Sequence, residues 1–73
     1  MDRVCTVEVR GPVTSQIPSG ARIVVPRGRY ALRELSLHEY ELHGGSGKVF
    51  DLTLRDVAHY MRREMTVIEG SWP

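Results

Sequence analysis

The side chains best able to do chemistry are three histidines, one cysteine and nine carboxylates, spread over 73 residues. His38 and His43 have opposite parity on a predicted strand, so they point to opposite faces of the sheet. His59 falls outside the apolar stripe of a predicted helix. Cys5 is the single cysteine, so it forms no intramolecular disulfide and cannot supply a zinc site that needs two thiolates. The sequence therefore predicts no metal site and no cofactor.

The candidates for catalytic residues are Glu39, Glu41 and Cys5. Glu39 and Glu41 share one face of a predicted strand, but acid–base work needs two carboxyl groups in contrasting environments. Arg29 and Arg33 lie on the neighbouring strand, and cross-strand ion pairs account for these charges more simply. Cys5 alternates with valines, which favours a buried and inert thiol. We therefore expect no catalytic residue and no enzymatic activity.

The segment GGSGK at residues 44–48 has the composition of a phosphate-binding loop. Such a loop requires Ser or Thr after the lysine and a helix directly behind it. Here Val49 follows the lysine and the next predicted element is a strand. The pattern therefore indicates a turn.

Basic residues exceed acidic ones by a small margin, 10 against 9, and nine of the ten cations are arginines. A net charge of +1 does not demand a nucleic-acid partner. One set of arginines could still track single-stranded phosphates beside the aromatic Tyr30, although Tyr30 alternates towards the predicted core. This alternative function, a nucleic-acid-binding regulator, uses Arg22, Arg27, Arg29 and Arg33.

The segment LTLRDVAHYM at residues 52–61 resembles the opening helix of helix-turn-helix and excisionase-like DNA-binding domains. The resemblance implies DNA binding through a recognition helix that follows a turn. In this chain the next segment is TVIE at residues 66–69, which has the pattern of a strand. The part that reads bases in those domains is therefore missing from the pattern, and a helix that packs on a sheet explains the same residues.

A protein partner is the other class of ligand that the sequence allows. Trp72 either packs back on the sheet or anchors a partner, as tryptophans at interfaces commonly do. The outer face of the predicted helix offers further polar contacts, and unpaired strand edges offer a template for another strand. The predicted partner-binding residues are Arg55, His59, Arg62, Arg63 and Trp72.

Hydrophobic periodicity predicts the elements that position these residues. Period-two alternation, or short β-branched runs, predict strands at 4–10, 21–25, 29–35, 38–43, 49–52 and 66–69. The strands at 29–35 and 38–43 should form an antiparallel hairpin. Residues 11–20 carry Gly and Pro and are expected to form a long loop.

One helix is predicted at about residues 54–64. Apolar residues then recur at helical spacing, and Thr53 with Asp56 gives the signature of a capped start. Arg62 and Arg63 would occupy the last turn, where the helix dipole favours cations. The stripe consists of Leu54, Val57, Ala58, Met61 and Met65.

These patterns predict an α+β, β-rich fold for a single domain, 1–73. We expect a small antiparallel sheet or open barrel of five to six short strands with one helix in the C-terminal half. The absence of a signal-peptide pattern and of long apolar runs favours the cytoplasm. The expected function is a small, non-enzymatic protein-binding accessory or regulatory protein of bacterial or phage type, with a homodimer as an open alternative.

Overall fold

The computed structural model describes residues 3–16 and 20–72, which form seven strands and one helix. The predicted α+β, β-rich class is confirmed, with one strand more than expected. The elements, in chain order, are β1 (Arg3–Val9), β2 (Thr14–Gln16), β3 (Arg22–Val24), β4 (Gly28–Glu34), β5 (Glu39–Gly44), β6 (Val49–Thr53), α1 (Leu54–Tyr60) and β7 (Met65–Gly70).

Five strands form an antiparallel sheet in the order β6-β5-β4-β1-β7, while β2 and β3 form a separate two-stranded sheet. The predicted β4–β5 hairpin is confirmed, with Leu32 opposite Leu42. The helix connects the edge strand β6 to the other edge strand, β7, so the chain crosses the sheet before it pairs with β1.

Side-chain parity places the core as the sequence predicts. Alternate residues of β1, β4 and β5 point inward because successive side chains of a strand face opposite sides. The intervening residues of the same strands, such as Glu8 and Arg29, are half-buried or exposed. The inward residues on these three strands are Cys5, Val7, Val9, Tyr30, Leu32, Tyr40 and Leu42, and all of them are buried.

The predicted loop at 11–20 contains a strand, which corrects the sequence-based expectation. In β2, Ser15 turns inward and its Oγ donates to the backbone oxygen of Asp51 at 2.7 Å. The β2–β3 pair is closed by a hydrogen bond from Val25 N to Val13 O of 2.8 Å, and both valines are buried. This strand consists of three polar residues. The hydrogen bond from Ser15 to β6 stabilises it, and no local sequence pattern reveals such a tertiary contact.

The helix begins as predicted and ends earlier. Asp56 N donates to Thr53 Oγ1 at 3.1 Å and Thr53 N donates to Asp56 Oδ2 at 3.0 Å, which makes a complete capping box. The last helical residue is Tyr60, and Met61 is already extended, with ψ of 135°.

The sequence predicted Arg62 and Arg63 in the last turn of the helix. Both residues instead lie beyond its end. Met65 is buried in the core, as its spacing in the helical stripe predicted, but it belongs to β7 and not to the helix. Ala58 of that stripe is exposed, because the helix covers the sheet with Val57.

The helix is tied to the small sheet by one aromatic side chain. Thr14 N donates to the Tyr60 hydroxyl at 3.3 Å, and Thr14 Oγ1 lies 3.0 Å from the same oxygen. The end of α1 is thus fixed close to where the chain turns towards β7. No helix among the described residues is long and apolar enough to cross a membrane.

Candidate functional site: a groove beside Trp72

Trp72 follows β7 and packs against the core. Its ring meets Tyr40 edge to face, with ring centroids 6.4 Å apart and an interplanar angle of 70°. Tyr40 is buried and Trp72 is half-buried. The sequence left open whether this tryptophan seals the sheet, and the structure shows that one side of the ring does so.

The remaining side of Trp72 faces a groove between the end of α1 and β7. Two depressions of about 250 and 430 Å³ are both lined by Met61, Arg62 and Trp72. The larger one continues along β7. We define the Trp72 groove by the six residues Met61, Arg62, Thr66, Val67, Gly70 and Trp72.

Two polar atoms of this groove are buried without a hydrogen-bond partner among the described residues, Trp72 Nε1 and Thr66 Oγ1. Leaving a buried donor or acceptor unpaired costs about 1–3 kcal/mol, so such atoms usually find a partner. The indole N–H is only a donor, and it therefore requires an oxygen or another acceptor. The indole N–H of Trp72 is therefore a donor that the described residues leave unpaired, although the nitrogen itself is buried.

Arg62 lies in the tight connection between α1 and β7. Its N–H donates to Met65 O at 2.7 Å, and Arg63 N donates to Tyr60 O at 3.0 Å. This turn holds Arg62 at φ of 67°, a left-handed conformation that costs a non-glycine residue energy. The strained turn keeps an exposed guanidinium at the edge of the groove.

The structure brings together two of the five predicted partner-binding residues, Arg62 and Trp72. The other three, Arg55, His59 and Arg63, are exposed but do not line the groove. His59 instead meets the ring of Tyr60 edge to face, with centroids 5.1 Å apart.

The groove continues into an open strand edge. Among the described strands, β7 pairs only with β1, so its other edge carries no strand. Ile68 on this strand is an aliphatic residue that is 41% exposed. The opposite edge of the sheet, β6, is partly covered because β2 contacts it through Ser15.

The four arginines of the nucleic-acid alternative do not all line one depression. Arg27 and Arg29 line a common depression, but Arg22 pairs with Gln16 in the small sheet. Arg33 is half-buried and lies opposite Glu41, a pair that depends on the strand register, which the sequence left open. Arg29 lies opposite Glu8 on β1, whereas the sequence placed it against the glutamates of β5.

Another depression, of about 620 Å³, is acidic. It lies along β5 and β6, where Glu41 is directly opposite Asp51. Glu41 Oε1 lies 2.7 Å from His43 Nε2, so this carboxylate already has a partner. The carboxylates that line it are Glu39, Glu41, Asp51 and Asp56.

No group of three or more histidines, cysteines or acids within 3–16 and 20–72 is placed to hold a metal ion. His38 is exposed, and Cys5, the single cysteine of the sequence, is buried. The glycine-rich segment after β5 is a turn followed by a strand. These residues therefore do not assemble the metal or phosphate-loop sites that were considered from the sequence.

Sequence reasoning missed Met61, Thr66 and Val67 as groove residues. Met61 and Thr66 were assigned to core and strand, and both assignments are compatible with lining a groove. No signal in the sequence marks where the helix stops, and that stop creates the space. Comparison of the chain with protein-family models, with curated proteins and with solved structures finds no match.

Proposed function

We propose that this protein is a non-enzymatic, protein-binding module that receives an extended polypeptide segment in the Trp72 groove and along β7. The observation that carries the proposal is the buried, unpartnered indole N–H of Trp72 in a groove beside an open strand edge. A backbone carbonyl of an extended segment would be the acceptor for this donor, and the half-buried Trp72 ring would have to turn to expose the buried nitrogen.

The open edge of β7 supports strand addition. An exposed edge presents N–H and C=O groups in the pattern that another strand pairs with. Val67, which lines the groove, and Ile68, which is exposed beside it in the sequence, supply apolar contact for the added strand. Each sheet edge has one backbone oxygen already bound, since Ser15 Oγ donates to Asp51 O on β6 and Arg62 N donates to Met65 O on β7. We choose β7 because it continues from the Trp72 groove.

Charge at the groove favours an acidic residue in the bound segment. Arg62 lines the groove and Arg63 follows it, both exposed. A guanidinium can hold a carboxylate through two parallel hydrogen bonds, which fixes orientation as well as affinity. We therefore propose a partner segment with a carboxylate near Arg62 and an aliphatic residue near Ile68.

The nucleic-acid alternative is favoured less by the geometry. Arg22 and Arg33 do not line the depression that Arg27 and Arg29 share, and Arg33 lies opposite Glu41 on β5, which weakens its attraction for a phosphate backbone. The segment after α1 is the strand β7 and not a recognition helix.

Selection from a displayed library of random 12-residue peptides tests the proposal. We expect the enriched peptides to combine Asp or Glu with aliphatic residues. Titration of one enriched peptide into ¹⁵N-labelled protein should shift the indole N–H of Trp72 and the amides of β7. Shifts confined to other strands would contradict the proposed site.

Two matched substitutions separate the groove from general surface charge. Arg62→Asn removes the guanidinium, and asparagine tolerates the left-handed conformation. Arg63→Asn is the control, because Arg63 is exposed and does not line the groove. We expect at least about a tenfold loss of affinity for the first variant, or 1.4 kcal/mol. Equal losses for both variants would argue for nonspecific attraction.

A second copy of this chain is the competing occupant of β7. Sedimentation velocity at micromolar concentration distinguishes the two occupants. A monomer that binds the selected peptide supports the proposal, whereas a dimer that Ile68→Lys dissociates would assign the edge to self-association. Lysine is expected to act in this way because a charged side chain on an edge strand opposes pairing.

A further inference from the structure

A second depression, away from the Trp72 groove, collects positive charge. It has a volume of about 320 Å³ and lies between the start of β4 and the turn that joins β5 to β6. Arg27, Arg29 and Lys48 line it, all three are exposed, and its lining contains no carboxylate. It shares no lining residue with the Trp72 groove. We call it the cationic depression.

Two aromatic rings fix the loops that carry these cations. The Tyr30 hydroxyl donates to the backbone oxygen of Pro26 at 2.6 Å, which ties the segment before β4 to the strand. Phe50 meets the Tyr30 ring edge to face, with centroids 6.0 Å apart. The loop with Arg27 is therefore held against the sheet.

The glycine turn is fixed on the same rings. A Cβ atom at Gly44 would lie 3.1 Å from Cε2 of Tyr30, so only glycine lets this turn approach the ring without displacement. Gly44 N donates to Lys48 O at 2.9 Å, which closes the turn. Lys48 thus comes from a turn that the tyrosine positions, and it faces the same depression as both arginines.

Three cations around one small depression suit a doubly charged anion. Arginine binds phosphate oxygens through a planar fork, and lysine adds a compact charge. Arg29 also lies opposite the half-buried Glu8 on β1, whereas Arg27 and Lys48 lie outside the strands. Phe50 lines the depression and is half-buried, which leaves part of an aromatic side chain for contact with a base.

We propose that the cationic depression binds the phosphate group of a nucleotide, free or within a short single strand. This site differs from a phosphate loop, because side chains and not a helix N-terminus supply the charge. It also differs from the four-arginine face considered from the sequence, because Lys48 joins Arg27 and Arg29 while Arg22 and Arg33 lie elsewhere.

The test is a set of titrations of ¹⁵N-labelled protein with inorganic phosphate, a nucleoside diphosphate and a 12-nucleotide oligo-dT, at 50 and 200 mM salt. We expect saturable shifts in the amides of residues 27–29 and 44–48 with the nucleoside diphosphate. Oligo-dT binding should weaken with salt at a logarithmic slope of about −0.7 for each phosphate neutralised. Tighter binding of the diphosphate than of oligo-dT identifies a free nucleotide as the source, and the reverse order identifies a strand.

Two double variants with the same loss of charge provide the control. Arg27→Gln with Lys48→Gln removes two cations of the depression and keeps their stems. Arg55→Gln with Arg63→Gln removes two exposed cations that do not line it. We expect at least a tenfold loss of nucleotide affinity for the first variant and less than a twofold change for the second, with equal Tm values.

Three outcomes would overturn the proposal. These are equal weakening by both double variants, shifts outside the two loops, and no saturable binding of any of the three ligands to wild-type protein. If inorganic phosphate binds as tightly as the nucleoside diphosphate, the base does not contribute to binding. That result would overturn the proposal that the ligand is a nucleotide. None of these results bears on the Trp72 groove, which is tested with peptides.

Discussion

Tyr30 joins three parts of the molecule through one side chain. Its hydroxyl donates to Pro26 O at 2.6 Å, and its ring contacts Phe50 and the turn at Gly44. Tyr30→Phe keeps the ring and removes one hydrogen bond. We expect the free energy of unfolding to fall by about 1 kcal/mol, measured by urea denaturation.

The same residue should make stability depend on alkaline pH. Burial raises the pKa of Tyr30, because removal from water disfavours the phenolate. The stabilisation is therefore complete below the ordinary pKa of about 10 and is lost as pH rises through the higher pKa of the folded state. The difference in stability between wild type and Tyr30→Phe should shrink between pH 9 and 12. A constant difference would show that the phenol does not ionise in this range.

Single side chains were the level at which the sequence was most informative. The inward positions of β1, β4 and β5 follow from alternation alone, because half-buried strands require apolar residues at every second position. Cys5, Leu32 and Leu42 were predicted in this way and are buried. The hairpin predicted arginines of β4 beside glutamates of β5, but only the structure gives the register that puts Arg33 opposite Glu41. Arg29 lies opposite Glu8, because β1 pairs with the other edge of β4.

At the level of elements, the capping box determines where α1 begins. Thr53 and Asp56 exchange two hydrogen bonds, of 3.1 and 3.0 Å. Thr53→Ala removes the cap and should lower the free energy of unfolding by about 1 kcal/mol in urea. Arg55→Ala is the matched control on the same exposed turn, and an equal loss from it would contradict the role of the cap.

Gly70 determines how β7 leaves the sheet. It has φ of 85°, and a Cβ there would lie 3.2 Å from Cα of Cys5. Gly70→Ala should therefore destabilise the protein by about 1–3 kcal/mol, and it should disturb Trp72, two residues later. Gly45→Ala is the control, since no atom outside its immediate neighbours in the chain lies within 4 Å of the position that a Cβ would take.

Thermal unfolding followed by circular dichroism compares these two glycine variants. A lower Tm for Gly70→Ala than for Gly45→Ala is the expected result. Equal Tm values would show that the strand adjusts to the extra methyl group at no cost.

Element boundaries were less predictable than parity. Helical spacing continues through Met61 and Met65, so the pattern extends the helix beyond Tyr60. The chain instead turns at Arg62, and Met65 reaches the core from β7. The strand β2 was missed for a related reason, since Ser15 is buried by a contact 36 residues away in sequence.

At the level of the whole molecule, the segment after β7 is expected to contribute to stability. Trp72 packs on Tyr40, so deletion of residues 71–73 should lower the free energy of unfolding by about 2 kcal/mol. For a domain of this size the Tm should fall by about 10 °C. An unchanged Tm would mean that the tryptophan serves only a partner.

The two candidate sites could not be predicted from sequence because each is assembled from distant segments. The Trp72 groove combines the end of α1, the turn at Arg62 and the residues after β7. The cationic depression joins Arg27 to Lys48 through the rings of Tyr30 and Phe50. Such sites depend on strand order, and strand order was not determined by alternation.

Trp72 is the only tryptophan in the chain, so its near-ultraviolet emission reports on a single environment. Excitation at the red edge of the indole band would avoid the three tyrosines. Because the ring is half-buried, filling the groove should shift its emission to the blue, whereas unfolding should shift it to the red. Unlabelled protein in a cuvette can therefore distinguish an occupied groove from a lost fold by the colour of one fluorophore.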